Sequence, residues 1–301
     1  MPLVSDTTPP MVAVYMICYN CEAYIAQAIE GVLRQQADFA IRLFIGDDAS
    51  TDATASICKA YKERFPQQIE LLLHPVNIGA VNNAKTVYEA CLNSGAKYVA
   101  MCEGDDYWTD PDKLQKQVRL LEANPQYSLC FHEAVLLNME TGEEELYLEY
   151  SRDVYNTEDV LRTGAFVPTL SIVFRTAGFH FPAWYFSVSI GDAALVLMNS
   201  IRGDIVLMRE KMGVYRKHRA GISVAMEANQ IRLALESVKL LHYFNLHTQL
   251  AFDAVVQEVN TDTLYRLKHF TPYRKVSDTR PLWQKLGAAD FWKRKVKELV
   301  G

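Results

Sequence analysis

The sequence predicts an α/β fold: a mostly parallel central sheet flanked by helices, with a helical C-terminal extension. Two observations carry this. Apolar runs of strand length alternate with helical patterns over the first hundred residues, the order that builds a parallel sheet covered on both faces. Each run also ends at polar or acidic residues, where sheets of this kind bind ligands, beyond the carboxyl ends of the strands.

Residues 12–19 form a continuous apolar run, as expected of a strand buried on both faces. Over 22–35 the period becomes helical, with Ile25, Ala28, Ile29, Val32 and Leu33 on one side. A second strand, 42–45, leads into Gly46-Asp47-Asp48, and Ser50 and Asp52 offer N-cap chemistry for a helix towards Arg64. A third strand, 69–73, is followed by the loop 74–79 and a helix to about Leu92. The fourth strand, 98–102, ends at Glu103-Gly104-Asp105-Asp106. Thr109 or Asp110 then suits the cap of a helix with Pro111 in its first turn and Leu114, Val118 and Leu121 on its buried face. Strand patterns return at 129–137, 170–174 and 204–208, with an acidic insertion at 143–145. Residues 227–259 read as one or two amphipathic helices.

The chain has 301 residues, 50% of them hydrophobic and 22% charged, with a formal net charge of −5. That balance fits a packed domain and lacks the basic excess of a nucleic-acid binder. The first ten residues carry no basic-then-apolar leader pattern, and no apolar run reaches the ~18 residues that span a bilayer. The expected location is the cytosol. Cys18 and Cys21 form a lone C-x-x-C without the second pair a zinc ribbon needs. The six cysteines are therefore expected to be reduced and mostly buried.

The quartet at 103–106 is the most informative stretch. Three carboxylates crowded at the end of a buried strand repel one another unless a cation joins them. Hard divalent cations such as Mn²⁺ or Mg²⁺ take oxygen ligands and use one or two carboxylates plus substrate phosphates. The alternative is a solvated acidic turn.

Four segments, in order and at matching separations, carry a resemblance: 14–20, 45–54, Asn77-Ile78-Gly79, and 103–108 with Asp110-Pro111 and Lys113-Leu114. Together they closely resemble the family 2 glycosyltransferases of GT-A fold, inverting enzymes of cell-wall and surface polysaccharide synthesis. The likeness covers residues 11–125 firmly and extends more loosely to 223. It implies a GT-A domain over 11–223, with a nucleotide-sugar half at 11–125 and an acceptor half at 126–223. Residues 1–10 would be extended or disordered, and 224–301 a helical extension.

By the same resemblance Tyr19 would pack on the nucleotide base and Asp48 would accept a hydrogen bond from it, with Asp47 supporting the turn. Asn20 and Glu22 join the donor-binding set, a helix-start role being the alternative for Glu22. Asn83, or its neighbour Asn82, would touch the donor. Glu103, where the family more often has Asp, would serve the ribose or a supporting role. Asp105 and Asp106 would form the metal–diphosphate site, which of them ligates being open. Asp192, in Ile190-Gly191-Asp192, would be the general base, with an N-cap for the helix 193–199 as the plainer reading. Tyr215-Arg216-Lys217-His218, followed by Gly221 and Ser223, resembles a further family segment. There His218 would ligate the metal or the diphosphate, and Arg216, or its neighbour Lys217, would add positive charge at the donor. Trp108 would either line the acceptor cleft or pack.

The partners so implied are a nucleotide-sugar donor, a UDP-sugar by default, and a saccharide or lipid-linked acceptor. A nicotinamide enzyme would need a Gly-rich first turn, and no G-x-G or P-loop sequence occurs. The rival from another class is a catalytically silent nucleotide-sugar binder or scaffold of a polysaccharide-assembly complex; the presence of Asp105, Asp106 and Asp192 favours activity. Residues 281–301 are basic and carry Trp283, Phe291 and Trp292. They suit a helix lying at an anionic membrane surface, or one packed on its own domain or on a second copy in a homodimer.

Overall fold

A computed structural model describes residues 11–269 except 165, 220, 222, 223 and 225–228. The expectations for 1–10, Ser223 and 281–301 lie outside the described residues. Among the described residues ten strands join one sheet. At its centre β1 (Val12–Cys18) pairs in parallel with β2 (Ile41–Asp47) and β4 (Tyr98–Met101), and β2 with β3 (Ile69–Leu73). The continuous apolar run of β1 has a direct cause. Val12, Val14 and Met16 pack with Ile25, Ala28 and Ile29 of α1 (Ile25–Leu33), while Ala13 and Tyr15 pack with Val87, Tyr88 and Cys91 of α3 (Ala80–Asn93). Both faces of the strand are core. Helix α2 (Thr54–Arg64) connects β2 to β3.

The rest of the sheet is mixed. The elements follow as β5 (Tyr107–Trp108), α4 (Lys113–Ala123), β6 (Tyr127–Asn138), β7 (Glu144–Leu146), β8 (Val154–Tyr155) and α5 (Thr157–Thr163). Then come β9 (Val173–Arg175), α6 (Gly191–Ser200) and β10 (Asp204–Lys217). Strand β9 lies antiparallel between β4 and β6, β10 runs parallel to β6, and β5 lies antiparallel to β10. The acidic insertion is hairpin strand β7, paired with β6.

Several boundaries differ from the sequence reading. Strand β10 runs to Lys217 rather than stopping at 208; the charged stretch Arg209-Glu210-Lys211 hides it, and register shifts there bend the strand. Helix α4 starts at Lys113 after Asp112, because the Asp110 carboxylate accepts from the Asp112 N–H (2.8 Å) and holds Pro111 in the turn before the helix. The expected strand at 170–174 is a short 3-10 turn, Thr169–Ser171, followed by β9. The long C-terminal pattern is two helices, α7 (Gln230–His247) and α8 (Asp253–His269). Gln249 and Leu250 take left-handed backbone (φ 53° and 65°) and turn the chain between them.

Leu240, Leu241 and Phe244 of α7, with Val255 and Val256 of α8, join the core cluster that holds Leu195 and Leu197 of α6. Burying each such side chain contributes about 1.5–3 kcal/mol. Among the described residues no helix is long and apolar enough to cross a membrane. All six cysteines are free and buried.

Candidate active site

The loops after β1, β2 and β3 are laced together by their own polar side chains. Asn20, held at φ 49°, accepts from the Thr51 N–H (2.8 Å), while its own N–H donates to the Ser50 hydroxyl (3.0 Å). Glu22 accepts from the Ala53 N–H (2.7 Å), and its N–H donates to Asp52 (3.1 Å), which also accepts from the Thr54 N–H (2.9 Å). Those hydrogen bonds hold the Asp52 carboxyl below its usual range despite partial burial. The start of α2 is thus capped from the neighbouring loop. The helix's own cap position is Ala53, with no side-chain bond; of the expected Ser50 and Asp52, Asp52 supplies N-cap chemistry from one residue earlier and Ser50 does not.

Asp47 accepts from the Ser50 N–H (3.1 Å) and supports the turn. Asp48 is 2% exposed, and one oxygen takes the Ile78 N–H (2.7 Å), tying the β2 loop to the β3 loop. Asn83 is 1% exposed with both amide ends engaged. Its Nδ2 donates to the Gly46 carbonyl (2.9 Å) and its Oδ1 meets His74 Nε2 (3.1 Å). It braces the end of β2 rather than opening towards a ligand, and Asn82 binds the Ile78 carbonyl (2.7 Å). Only a glycine fits at 46, since a Cβ there would lie 2.2 Å from Asn83 Oδ1. Tyr19 stands apart from this lattice, 49% exposed at the end of β1.

The acidic quartet follows β4. Gly104 is bolted to β1: its N–H donates to the Ile17 carbonyl (3.0 Å), and a Cβ would lie 2.8 Å from that of Cys18. This close approach turns Glu103, Asp105 and Asp106 to one side, where a carboxylate oxygen from each lies within 4.8 Å of the others. Asp106 points inward, one oxygen accepting from the Arg216 N–H (2.8 Å), the other buried without a hydrogen-bond partner. Asp105 faces His218, with Oδ2 3.0 Å from Nε2. The pairing of Val214 with Tyr107 brings the end of β10 to this loop, which is how residues so distant in sequence meet.

Arg216 lies beneath the cluster rather than in the open. Its guanidinium is held over the Tyr107 ring (4.2 Å) and near the Tyr24 ring (5.1 Å), and it donates to the Asp105 carbonyl (2.8 Å) and to Gln27 Oε1. The expected direct donor contact is therefore replaced by a supporting one: Arg216 fixes the acid loop from behind. Trp108 is likewise packing, its Nε1 donating to the Leu170 carbonyl (2.8 Å), with the Lys113 ammonium 4.0 Å from its ring centroid.

Asp192 closes the other side. Helix α6 begins two residues earlier than expected, at Gly191 after Ile190, so Asp192 sits in the first turn instead of at the expected cap. Its carboxylate accepts from the Ala193 N–H (2.8 Å), and the Thr169 side chain also favours its charged form. Burial pushes its pKa up in spite of these bonds. Burial, then the charges of Asp105 and Asp192, push Glu103 up to about 8. Burial, then the charges of Asp105 and Glu103, raise Asp106 well above the carboxylate range. Each shift has one meaning: the charged forms are costly here without added positive charge. Below them Tyr15 stacks on Tyr88 (4.3 Å), and the Tyr185 hydroxyl donates to the Gly191 carbonyl (2.7 Å).

Tyr24, Gln27, Tyr107, Thr169 and Tyr185 were not identified from the sequence as parts of the site. They act through long-range contacts, and no local motif signals them apart from Tyr107, which lies within the 103–108 segment without a role of its own.

The sequence model described as "Glycosyl transferase family 2" matches residues 13–201. An uncharacterized protein of Mycobacterium tuberculosis is 37% identical over 214 residues, covering 70% of this chain and 60% of that protein. This chain thus spans less than two thirds of that relative's length. A putative glycosyltransferase of Bacillus subtilis, EpsE, is 34% identical over 120 residues, covering 40% of this chain and 41% of its own. Among solved structures, S. aureus TarS in complex with UDP superposes with a TM-score of 0.60 at 15% identity, over 86% of this chain and 72% of that one. The mannosyltransferase PcManGT from Pyrobaculum calidifontis, in complex with GDP-Man and Mn²⁺, gives 0.54 at 16% identity, over 89% and 77%. At such identities the likeness is one of fold.

Proposed function

The chain belongs to glycosyl transferase family 2, and on that premise we propose that it transfers a sugar from a nucleoside-diphosphate sugar to an acceptor hydroxyl with inversion. The acceptor oxygen attacks the anomeric carbon, and the bond to the diphosphate breaks on the opposite face. Asp192 receives the acceptor proton, and the nucleoside diphosphate departs. The observation that carries the reading is the meeting of Asp105 and His218, at 3.0 Å, beside a carboxylate cluster that lacks enough positive charge.

Tyr19, exposed at the end of β1, would pack on the base, with Asp48 at the turn below. Glu103 would serve the ribose. The donor set suits a divalent cation: hard oxygens, one imidazole, and a buried Asp106 oxygen with no partner. Asp105 and His218 would hold Mn²⁺ or Mg²⁺, with Asp106 behind them. Such a cation offsets charge on the leaving diphosphate. A raised pKa suits Asp192 as a base, because it accepts a proton more readily than an ordinary carboxylate does. A UDP-sugar is the proposed donor, and a saccharide or lipid-linked acceptor of surface polysaccharide synthesis the proposed partner. The proposed division is a catalytic domain over 11–223 and a helical extension from 224.

The test is hydrolysis of a panel of nucleotide sugars with Mn²⁺ or Mg²⁺, read beside thermal shifts with free nucleotides. Metal-dependent turnover of one donor, lost in Asp105→Ala, is expected. Tight nucleotide binding without turnover of any donor would replace the enzyme by a binding protein.

A further inference from the structure

Helix α7, outside the matched segment 13–201, reaches back to the stretch that delivers Asp192. Glu236 accepts from the Ser189 N–H (2.8 Å). One turn on, Lys239 donates to the Ser187 carbonyl and lies 3.6 Å from Glu236. Farther along the helix the Tyr243 ring stacks on Trp184 (5.9 Å, 19°). Three successive turns of one helix therefore hold residues 184, 187 and 189. From inside the core, the Tyr185 hydroxyl holds the Gly191 carbonyl. Residues 184–190 belong to no sheet strand, so their polar backbone depends on such partners. The hydrogen bond from Ser189 and the Lys239 ammonium outweigh partial burial and keep the Glu236 carboxyl below its usual range, so it accepts as a carboxylate.

We infer that Glu236 is a positioning residue for Asp192: α7 fixes the approach to α6 and thereby the reach of the Asp192 carboxylate towards the acid cluster. The inference rests on Asp192 being the base. It gives the C-terminal helices a part in the reaction beyond covering the core.

The experiment compares Glu236→Ala with Glu236→Gln in the full chain, since Gln keeps an oxygen able to accept from Ser189. The first readout needs no turnover. Amide exchange over residues 184–194 should quicken at least tenfold in Glu236→Ala and stay near wild type in Glu236→Gln, with 98–106 unchanged in both. The second is Mn²⁺-dependent UDP-sugar hydrolysis. Here kcat should fall about tenfold in Glu236→Ala with donor KM unchanged, and should recover in Glu236→Gln. In an Asp192→Asn background the Glu236→Ala loss should vanish, because both act through one group. Unchanged exchange in Glu236→Ala overturns the inference. So does an unchanged kcat where Asp192→Asn abolishes hydrolysis. If instead Asp192→Asn hydrolyses donor at the wild-type rate, the assignment of the base fails, and the positioning role fails with it.

Discussion

The loops at 19–22 and 46–54 and the acidic edge at 103–106 sit at the same end of one sheet but are built on opposite principles. In the first, carboxylates and amides are matched to backbone N–H groups: Asn20, Glu22, Asp47, Asp48 and Asp52 each accept at least one. In the second, Glu103 and Asp106 are pushed towards protonation, and an Asp106 oxygen has no partner. The lesson is that the wall proposed to face the nucleotide has its polar groups matched within the protein, whereas the acidic edge leaves carboxylates that positive charge from outside would match.

The largest test of that contrast is Asp105→Ala, which should lower donor turnover roughly a thousandfold by removing the carboxylate opposite His218. Nucleotide binding without metal, measured by thermal shift, should change little. Equal loss of metal-free binding would dissolve the distinction between the two regions. On the other wall, Tyr19→Ala should raise donor KM about tenfold, as expected for one lost base–aromatic stack, with kcat nearly kept. A loss in kcat alone would move Tyr19 to the acidic side of the comparison.

A pH ramp sharpens the contrast further. Glu103 and Asp106 bind protons more tightly folded than unfolded, so the folded state holds more protons once the unfolded carboxyls have ionised. Stability of the metal-free protein should therefore fall as pH rises from about 5 to about 8. The expected drop in Tm is on the order of 5 °C, with Mn²⁺ reversing it at the upper end. A melting temperature insensitive to Mn²⁺ at pH 8 would contradict a charge-deficient edge. The smallest effect is expected for Asn20→Ala, which removes an acceptor and leaves alanine at φ 49°. It should cost about 1–2 kcal/mol in denaturant unfolding while the metal response stays intact.

Much of the first wall was readable from the sequence, because its strands are apolar on both faces and its turns announce themselves with Asp, Asn and Gly at fixed offsets. The acidic quartet was equally plain. What escaped was support from a distance. Arg216 reads as a charge for a phosphate, yet two tyrosines from other elements and Gln27 take it inward. The second half of β10 was hidden because its charged middle breaks the apolar pattern on which strand reading depends. Asn83 reads as a ligand contact, but the missing side chain at Gly46 lets its amide sink into the end of β2.

Gly104 carries a consequence for relatives of this chain. A lineage drifting away from catalysis could shed its acids one at a time, each leaving the others in place. A methyl group at 104 would instead collide with Cys18 and the Ile17 carbonyl and displace all three acids together, without altering any of them. When an aligned sequence keeps every carboxylate, the residue between the first two is therefore the place to ask whether the three can still converge.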